Sequence, residues 1–306
     1  MSRQKIKRVG SGVVVQTSKA RYALDKVPKN VGADLYLVSH AHTDHLPSGQ
    51  NLKVIASRET IELAKARGYR YTRLDEDRYP DIELIDNGHI LGSKAFLIEG
   101  NILYTGDINI FDREFLRGFR PPQADILIIE ATYGTRKYIF GEYNELIDRL
   151  IQTVYKAVMN NINVVLEAYP LGKTQLLTNI FRSYENLYVT RSVKRYNETY
   201  KQLGYLDKAR YRTWGREEIE EPFILIKGTT SNIGLDGLKY GTKVLRLTGW
   251  VVGKEDRGIP LSDHADYLGL LRVVDRVKPK KIYTIYGYAT RLAHDLSRMG
   301  YDAQPL

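Results

Sequence analysis

Four potential metal ligands fall within the short stretch Ser39-His40-Ala41-His42-Thr43-Asp44-His45. They follow directly on Leu35-Tyr36-Leu37-Val38, an apolar run that reads as a buried strand. In extended chain, side chains repeat every second residue, so His40 and His42 project to one side. A turn after them, which the small and polar residues permit, brings Asp44 and His45 toward a second position nearby. Imidazole plus carboxylate is the donor set of zinc, with manganese or iron as the alternatives. A histidine-rich surface loop without metal is the other reading, and the spacing argues against it.

The pattern His-x-His-x-Asp-His resembles the signature of the metallo-β-lactamase fold, a family of metal-dependent hydrolases that draws its other ligands from later strand ends. The resemblance implies a histidine from a Gly-His-x-x-Gly-Ser stretch, and Gly88-His89-Ile90-Leu91-Gly92-Ser93 supplies His89. It also implies a bridging carboxylate after a further apolar strand, and Ile102-Leu103-Tyr104-Thr105-Gly106-Asp107 supplies Asp107. On this reading His40, His42 and His89 hold one Zn2+ ion. Asp44 and His45 face a second, Asp107 bridges, and Mn2+ is the alternative metal. Asp25 resembles the family's first motif, an aspartate that braces the metal loop; a plain turn before Lys26-Val27-Pro28 is its other reading.

Two later stretches narrow the resemblance to the β-CASP branch, the nucleic-acid-processing nucleases of this superfamily. Ala124 to Ile129 reads as an apolar strand that ends in Glu130-Ala131-Thr132-Tyr133-Gly134, similar to the branch's Glu-Ser/Ala-Thr-Tyr-Gly motif. Leu261-Ser262-Asp263-His264-Ala265-Asp266 resembles its Ser-x-His-x-Asp motif. The resemblance implies that Glu130 lies close to the metals and that His264 reaches the reactive phosphate. Five of the six histidines stand in these motifs, which a random scatter would not produce. One position departs: most members carry Val-His-Gly after the last strand, and this chain has Ile285-Tyr286-Gly287. A phenol titrating near pH 10 is a poor zinc ligand, so the second site is short of one ligand and a single firmly held ion is expected. His294, in an expected helix, is read as a surface or packing residue.

Composition bounds the rest. With 306 residues and 43% hydrophobic content, the chain can form a sizeable core in one large domain or two ordinary ones. No apolar run reaches the length of a membrane span. The first eight residues are basic without the apolar stretch of a signal peptide, which with the absence of cysteine points to the cytoplasm. A net charge of +10 favours polyanionic partners such as nucleic acid. Oligomeric state is not legible.

The elements that must hold the ligands follow from periodicity. Residues 10–25 read as two short strands, a helix begins near Arg58 behind Ser57, and Tyr69 to Arg73 alternates like an exposed strand. Strands recur around 82–86, 94–99 and 101–105, placing His89 and Asp107 at strand ends, where a rigid site needs them. From about 135 to 245 strand and helix alternate, beginning with a helix from Tyr143 to Asn160, which indicates a parallel sheet. The expected architecture is therefore α/β: an αββα metallo-β-lactamase sandwich from residues 1–134 and 246–306, with a small α/β β-CASP domain, 135–245, inserted.

Within the insert, Pro170-Leu171-Gly172-Lys173-Thr174-Gln175 looks similar to a branch motif entering a helix, where Lys173 offers a phosphate contact. It is not a P-loop, because Glu167 stands where the first glycine is required. Further on, Arg191, Lys194, Arg195, Lys201, Lys208, Arg210, Arg212 and Arg216 interleave with Tyr196, Tyr200, Tyr205, Tyr211 and Trp214. Basic residues of this kind track a phosphate backbone while aromatics stack on bases; amphipathic helices with buried tyrosines give the same pattern.

The function implied is metal-dependent hydrolysis of phosphodiester bonds in single-stranded RNA, exonucleolytic, with single-stranded DNA as the alternative substrate. Asp44 or metal-held hydroxide would serve as base, and His264, oriented by Glu130, would protonate the leaving oxygen. Ser262 and Tyr286 are candidates for contact with substrate or for support of the ligands. Two readings of other classes remain: a small-molecule metallo-hydrolase, which has no use for Glu130, His264 or the insert, and a non-catalytic nucleic-acid-binding relative, which Tyr286 would fit.

Overall fold

The computed structural model describes residues 4–49, 51–215, 218–254 and 256–306; Arg216 of the basic series lies outside them. The chain divides into two compact units, Met1–Arg136 with His264–Leu306, and Lys137–Asp263.

The first unit opens with β1 (Lys5–Val9), β2 (Gly12–Gln16), β3 (Arg21–Leu24) and β4 (Leu35–Leu37), which form one sheet in that order. β5 (Leu52–Val54), α1 (Arg58–Ala66) and β6 (Tyr71–Arg73) follow, and a parallel bridge between Leu37 and Ile55 ties this segment to β4. Ser57 caps α1 by accepting a hydrogen bond from the Thr60 amide, as serine commonly does. Then come β7 (Ile82–Asp86), β8 (Lys94–Ile98), β9 (Ile102–Tyr104) and β10 (Ile126–Glu130).

The second unit contains α2 (Tyr143–Met159), β11 (Asn163–Ala168), α3 (Lys173–Ile180), β12 (Leu187–Val189), α4 (Arg191–Gln202), β13 (Arg212–Thr213), β14 (Ile224–Gly228), β15 (Thr242–Leu247) and β16 (Gly258–Ile259). Its strands run parallel in the order β13-β12-β14-β11-β15-β16. Leu150, Val154 and Val158 of α2 are buried, the face that four-residue spacing marks as apolar.

The chain returns to the first unit with α5 (Tyr267–Val277), β17 (Lys281–Ile285), α6 (Ala289–Arg298) and β18 (Ala303–Pro305). β17 inserts beside β10, giving a second sheet of order β18-β17-β10-β9-β8-β7. Its strands alternate as strands between two layers must. Ile102, Tyr104 and Ile128 pack toward Val13, Tyr22 and Leu37 of the first sheet. Leu103, Leu127 and Ile129 pack on the other side against Leu270, Val274 and Leu292 of α5 and α6.

The expected return at residue 246 is corrected. β15 pairs along its length with β11, and β16 pairs with β15, so residues 246–263 belong to the second unit. The run Val244 to Thr248 carried no local mark of which sheet it would join, because a strand that alternates apolar and polar residues reads alike in either.

Candidate metal centre

The metal loop begins where β4 ends. His40 and His42 flank a bend at Ala41 and converge on one point, and each is almost completely buried. His40 Nε2 lies 3.1 Å from His42 Nδ1, and His89 Nε2 lies 3.1 Å from the same atom. His89 sits in the turn between β7 and β8. Gly88 before it has φ +74°, and a Cβ there would stand 2.3 Å from the Asn109 carbonyl oxygen, so the turn needs glycine. Asp107 follows β9 at its carboxyl end. Its Oδ2 lies 3.4 Å from His40 Nε2, 3.3 Å from His45 Nε2, 3.6 Å from His89 Nε2 and 3.9 Å from His264 Nε2. One carboxylate oxygen thus faces four imidazoles.

Donor atoms of His40, His42, His89 and Asp107 all fall within 4.8 Å of one another. Tetrahedral zinc with bonds of about 2.0–2.1 Å has edges of about 3.3 Å, close to the observed nitrogen separations. Two or three imidazole nitrogens meeting edge to edge cannot all donate and accept usefully, whereas a cation accepts them all. The residues fit a metal ion. Electrostatics agree. Burial pushes the His40 imidazole well below its usual range, which keeps it neutral with its lone pairs free. Burial acts against ionising Asp107, but His45 and His264 outweigh it and hold the carboxyl well below the usual range. Burial likewise opposes a charge on His45, and Asp107, Tyr286 and Asp25 outweigh it and raise that imidazole.

The six expected ligands do not stand alike. His45 approaches Asp107, while Asp44, whose side chain is 71% exposed, reaches only to 3.9 Å from His45 Nε2. His45 is fixed from its other edge: Nδ1 lies 2.8 Å from Asp25 Oδ2. Asp25 is fully buried and also accepts hydrogen bonds from the Ser39 amide (2.6 Å), the Ser39 hydroxyl (2.8 Å) and the Tyr104 hydroxyl (2.6 Å). It holds φ +61°, a conformation aspartate tolerates better than most residues. Truncation by Asp25→Ala strands four buried polar groups, so a loss on the order of 3 kcal/mol is expected. Asp25→Asn, which keeps the shape and the left-handed backbone, should lose less than half as much. Urea unfolding of the two variants measures this, and equal losses would show that the network needs the carboxylate's charge and not its shape.

Tyr286 joins the same network. Its hydroxyl lies 3.1 Å from that of Tyr104, and its ring stands edge-on to His45 at 5.2 Å. Burial pushes its phenol upward from the usual value, so it stays neutral.

A second constellation shares Asp107. Donor atoms of Asp107, Glu130 and His264 again lie within 4.8 Å of one another. Glu130, fully buried at the end of β10, accepts from the Ile108 amide (2.7 Å) and from the Thr132 amide (3.3 Å). Its Oε2 lies 3.0 Å from His264 Nδ1. Glu130 accepts from two amides already, and with Nδ1 donating to it as well Nε2 faces Asp107.

The remaining candidates lie in the second unit. Ser262 is buried, and Lys173, 6% exposed, places Nζ 3.8 Å from Asp263 Oδ2. The lysine expected to meet phosphate is therefore engaged by a buried carboxylate. Sequence reading missed Arg113, a buried arginine whose Nη2 donates to the carbonyls of Gly88 and His89 and so anchors the His89 turn. It missed Asn87 as well, which accepts from the His89 amide at 3.2 Å. Only its place two residues before a ligand signalled it.

No protein-family model matches the chain. It is 27% identical to a probable DNA ligase of Opitutus terrae over 293 residues, covering 87% of this chain and 28% of that protein. It is 25% identical to an RNase J-like protein of Methanocaldococcus jannaschii, covering 90% of this chain and 89% of that one. The chain thus spans little more than a quarter of the ligase. Among solved structures it resembles a protein of unknown function from Enterococcus faecalis V583, with a TM-score of 0.62, 14% identity and 90% of each chain covered, a likeness of fold.

Proposed function

Because the chain belongs to the β-CASP group of the metallo-β-lactamase fold, we propose that it is a metal-dependent nuclease that hydrolyses phosphodiester bonds of single-stranded nucleic acid. The observation that carries this reading is the pair of constellations meeting at Asp107: the ligand set His40, His42 and His89, and the Glu130–His264 couple. A small-molecule hydrolase needs only the first.

His40, His42, His89 and Asp107 would hold a divalent ion, zinc first, with His45 and the exposed Asp44 beside it. When bound, such an ion supplies the acidification of water and the polarisation of a phosphoryl oxygen. Asp44, exposed beside His45, would accept a proton from attacking water. Glu130 holds Nδ1 of His264 and fixes the ring, so that in its imidazolium form Nε2 would deliver its proton to the leaving oxygen and the ring would return to the neutral state with Nδ1 still protonated. That nitrogen belongs to a side chain still 21% exposed, so a substrate can reach it. Buried Asp25 and Tyr104, with half-buried Tyr286 beside them, hold His45 in place.

RNA is the first substrate, supported by the likeness to the RNase J-like protein along nearly the whole of both chains. Single-stranded DNA is the second, favoured by the alignment of most of this chain with the probable DNA ligase. The action proposed is exonucleolytic. Among the described residues no helix is long and apolar enough to cross a membrane. Matched 5′-labelled single strands of RNA and DNA, given zinc or manganese beside a His42→Ala control, test the reading. Stepwise shortening of one polymer, lost in the control, supports it and names the substrate; cleavage of neither sinks it.

A further inference from the structure

The second unit carries a groove that uses none of the residues assigned to hydrolysis. The segment between α3 and β12 and the segment between α4 and β13 enter the sheet at the amino ends of adjacent parallel strands. The topology therefore brings Arg182 and Tyr184 alongside Lys208, Arg210, Tyr211 and Arg212, around a groove of about 570 Å³. Ligands of open α/β sheets more often sit outside the carboxyl ends, so this is the opposite edge.

Its lining charge is lopsided: four cations face one carboxylate, Glu185. Arg212 is partly engaged, with Nη1 2.7 Å from Glu220 Oε1. Lys208 and Arg210 are exposed, and no ion pair engages either among the described residues. The aromatics are held in place. The Tyr184 hydroxyl donates to the Pro222 carbonyl at 2.8 Å, and the Tyr211 hydroxyl donates to Glu198 at 2.9 Å. Tyr155, 40% exposed on α2, sets its ring 6.5 Å from that of Tyr184. Cations that carry no counter-charge beside fixed rings suit a chain of phosphates with bases between them, and the polar rim suits no apolar ligand.

We propose that this groove holds the phosphate backbone of a single-stranded polynucleotide, a holding site for the substrate of the nuclease and resting on that reading. Two exposed side chains carry the test, since their replacement leaves the core intact. Binding of a labelled oligouridylate of about 30 nucleotides is measured by anisotropy from about 50 to 200 mM salt, in a His42→Ala background that does not consume the probe. Lys208→Glu combined with Arg210→Glu should weaken binding about tenfold or more and flatten the slope of log affinity against log salt by about 1.4, two single-strand contacts. Lys208→Gln with Arg210→Gln should flatten the slope alike with a smaller loss of affinity. An unchanged slope in both pairs, with unaltered circular dichroism, overturns the assignment. The two readings fail separately. A wild-type protein that cleaves nothing while the pairs weaken binding leaves the groove standing and removes the nuclease; cleavage with an unchanged slope does the reverse.

Discussion

Asp107→Asn is expected to lower cleavage on the order of 10³-fold, because it removes several kcal/mol of charge stabilisation at about 1.36 kcal/mol per decade. The substitution is nearly isosteric, so the loss reports charge rather than packing. A single oxygen of this residue lies 3.3–3.9 Å from Nε2 of His40, His45, His89 and His264. Without the anion, four imidazoles converge on a neutral amide, and the attraction that draws a cation among them is reduced. Zinc retained per chain after dialysis should fall in parallel with activity, while far-ultraviolet circular dichroism stays unchanged. A variant that keeps full zinc and full turnover would remove Asp107 from the centre.

His264→Ala is expected to slow cleavage of RNA or DNA by about 10²–10⁴-fold without reducing bound zinc. The reason lies in its partner. Glu130 is spent on the Ile108 amide, the Thr132 amide and His264 Nδ1, so its task is to orient the ring. If Nε2 protonates the leaving oxygen, a substrate whose leaving group needs no proton should scarcely notice the change. A p-nitrophenyl phosphodiester should accordingly lose less than about tenfold. Glu130→Gln should resemble His264→Ala on the natural polymer, since effects within one proton-handling unit are not additive. Equal losses on both substrates would instead assign His264 to binding the phosphoryl group.

Much of this cluster was legible because its histidines and carboxylates come in short sequence motifs at strand ends. His40 and His42 needed only the two-residue period of an extended chain, and Asp107 only the apolar strand before it. The helix α2 was legible from four-residue spacing. What escaped was long-range. β1 is largely exposed, so its Lys-Ile-Lys-Arg-Val sequence shows no buried stripe to read. The return point near residue 264 depended on β15 choosing β11 as its neighbour, which no local pattern encodes. Lys173 looked like a phosphate contact because Asp263, ninety positions later, was invisible as its partner. Arg113 serves His89 through two backbone carbonyls, and backbone acceptors leave no trace in a sequence.

The placement of the insert bears on the order in which a ribosome delivers this centre. His40, His42, His45, His89 and Asp107 all emerge within roughly the first third of the chain, whereas His264 follows only after the entire second unit, Lys137–Asp263. The strand that flanks Glu130 on its far side, β17, comes later still. A chain halted inside the insert therefore carries every imidazole of the candidate cluster but has no group at the position of His264. His264 is delivered after the whole of the second unit, and Tyr286 follows it. On the function proposed, a chain under synthesis holds the histidine cluster before it holds the group that would hand a proton to the leaving oxygen.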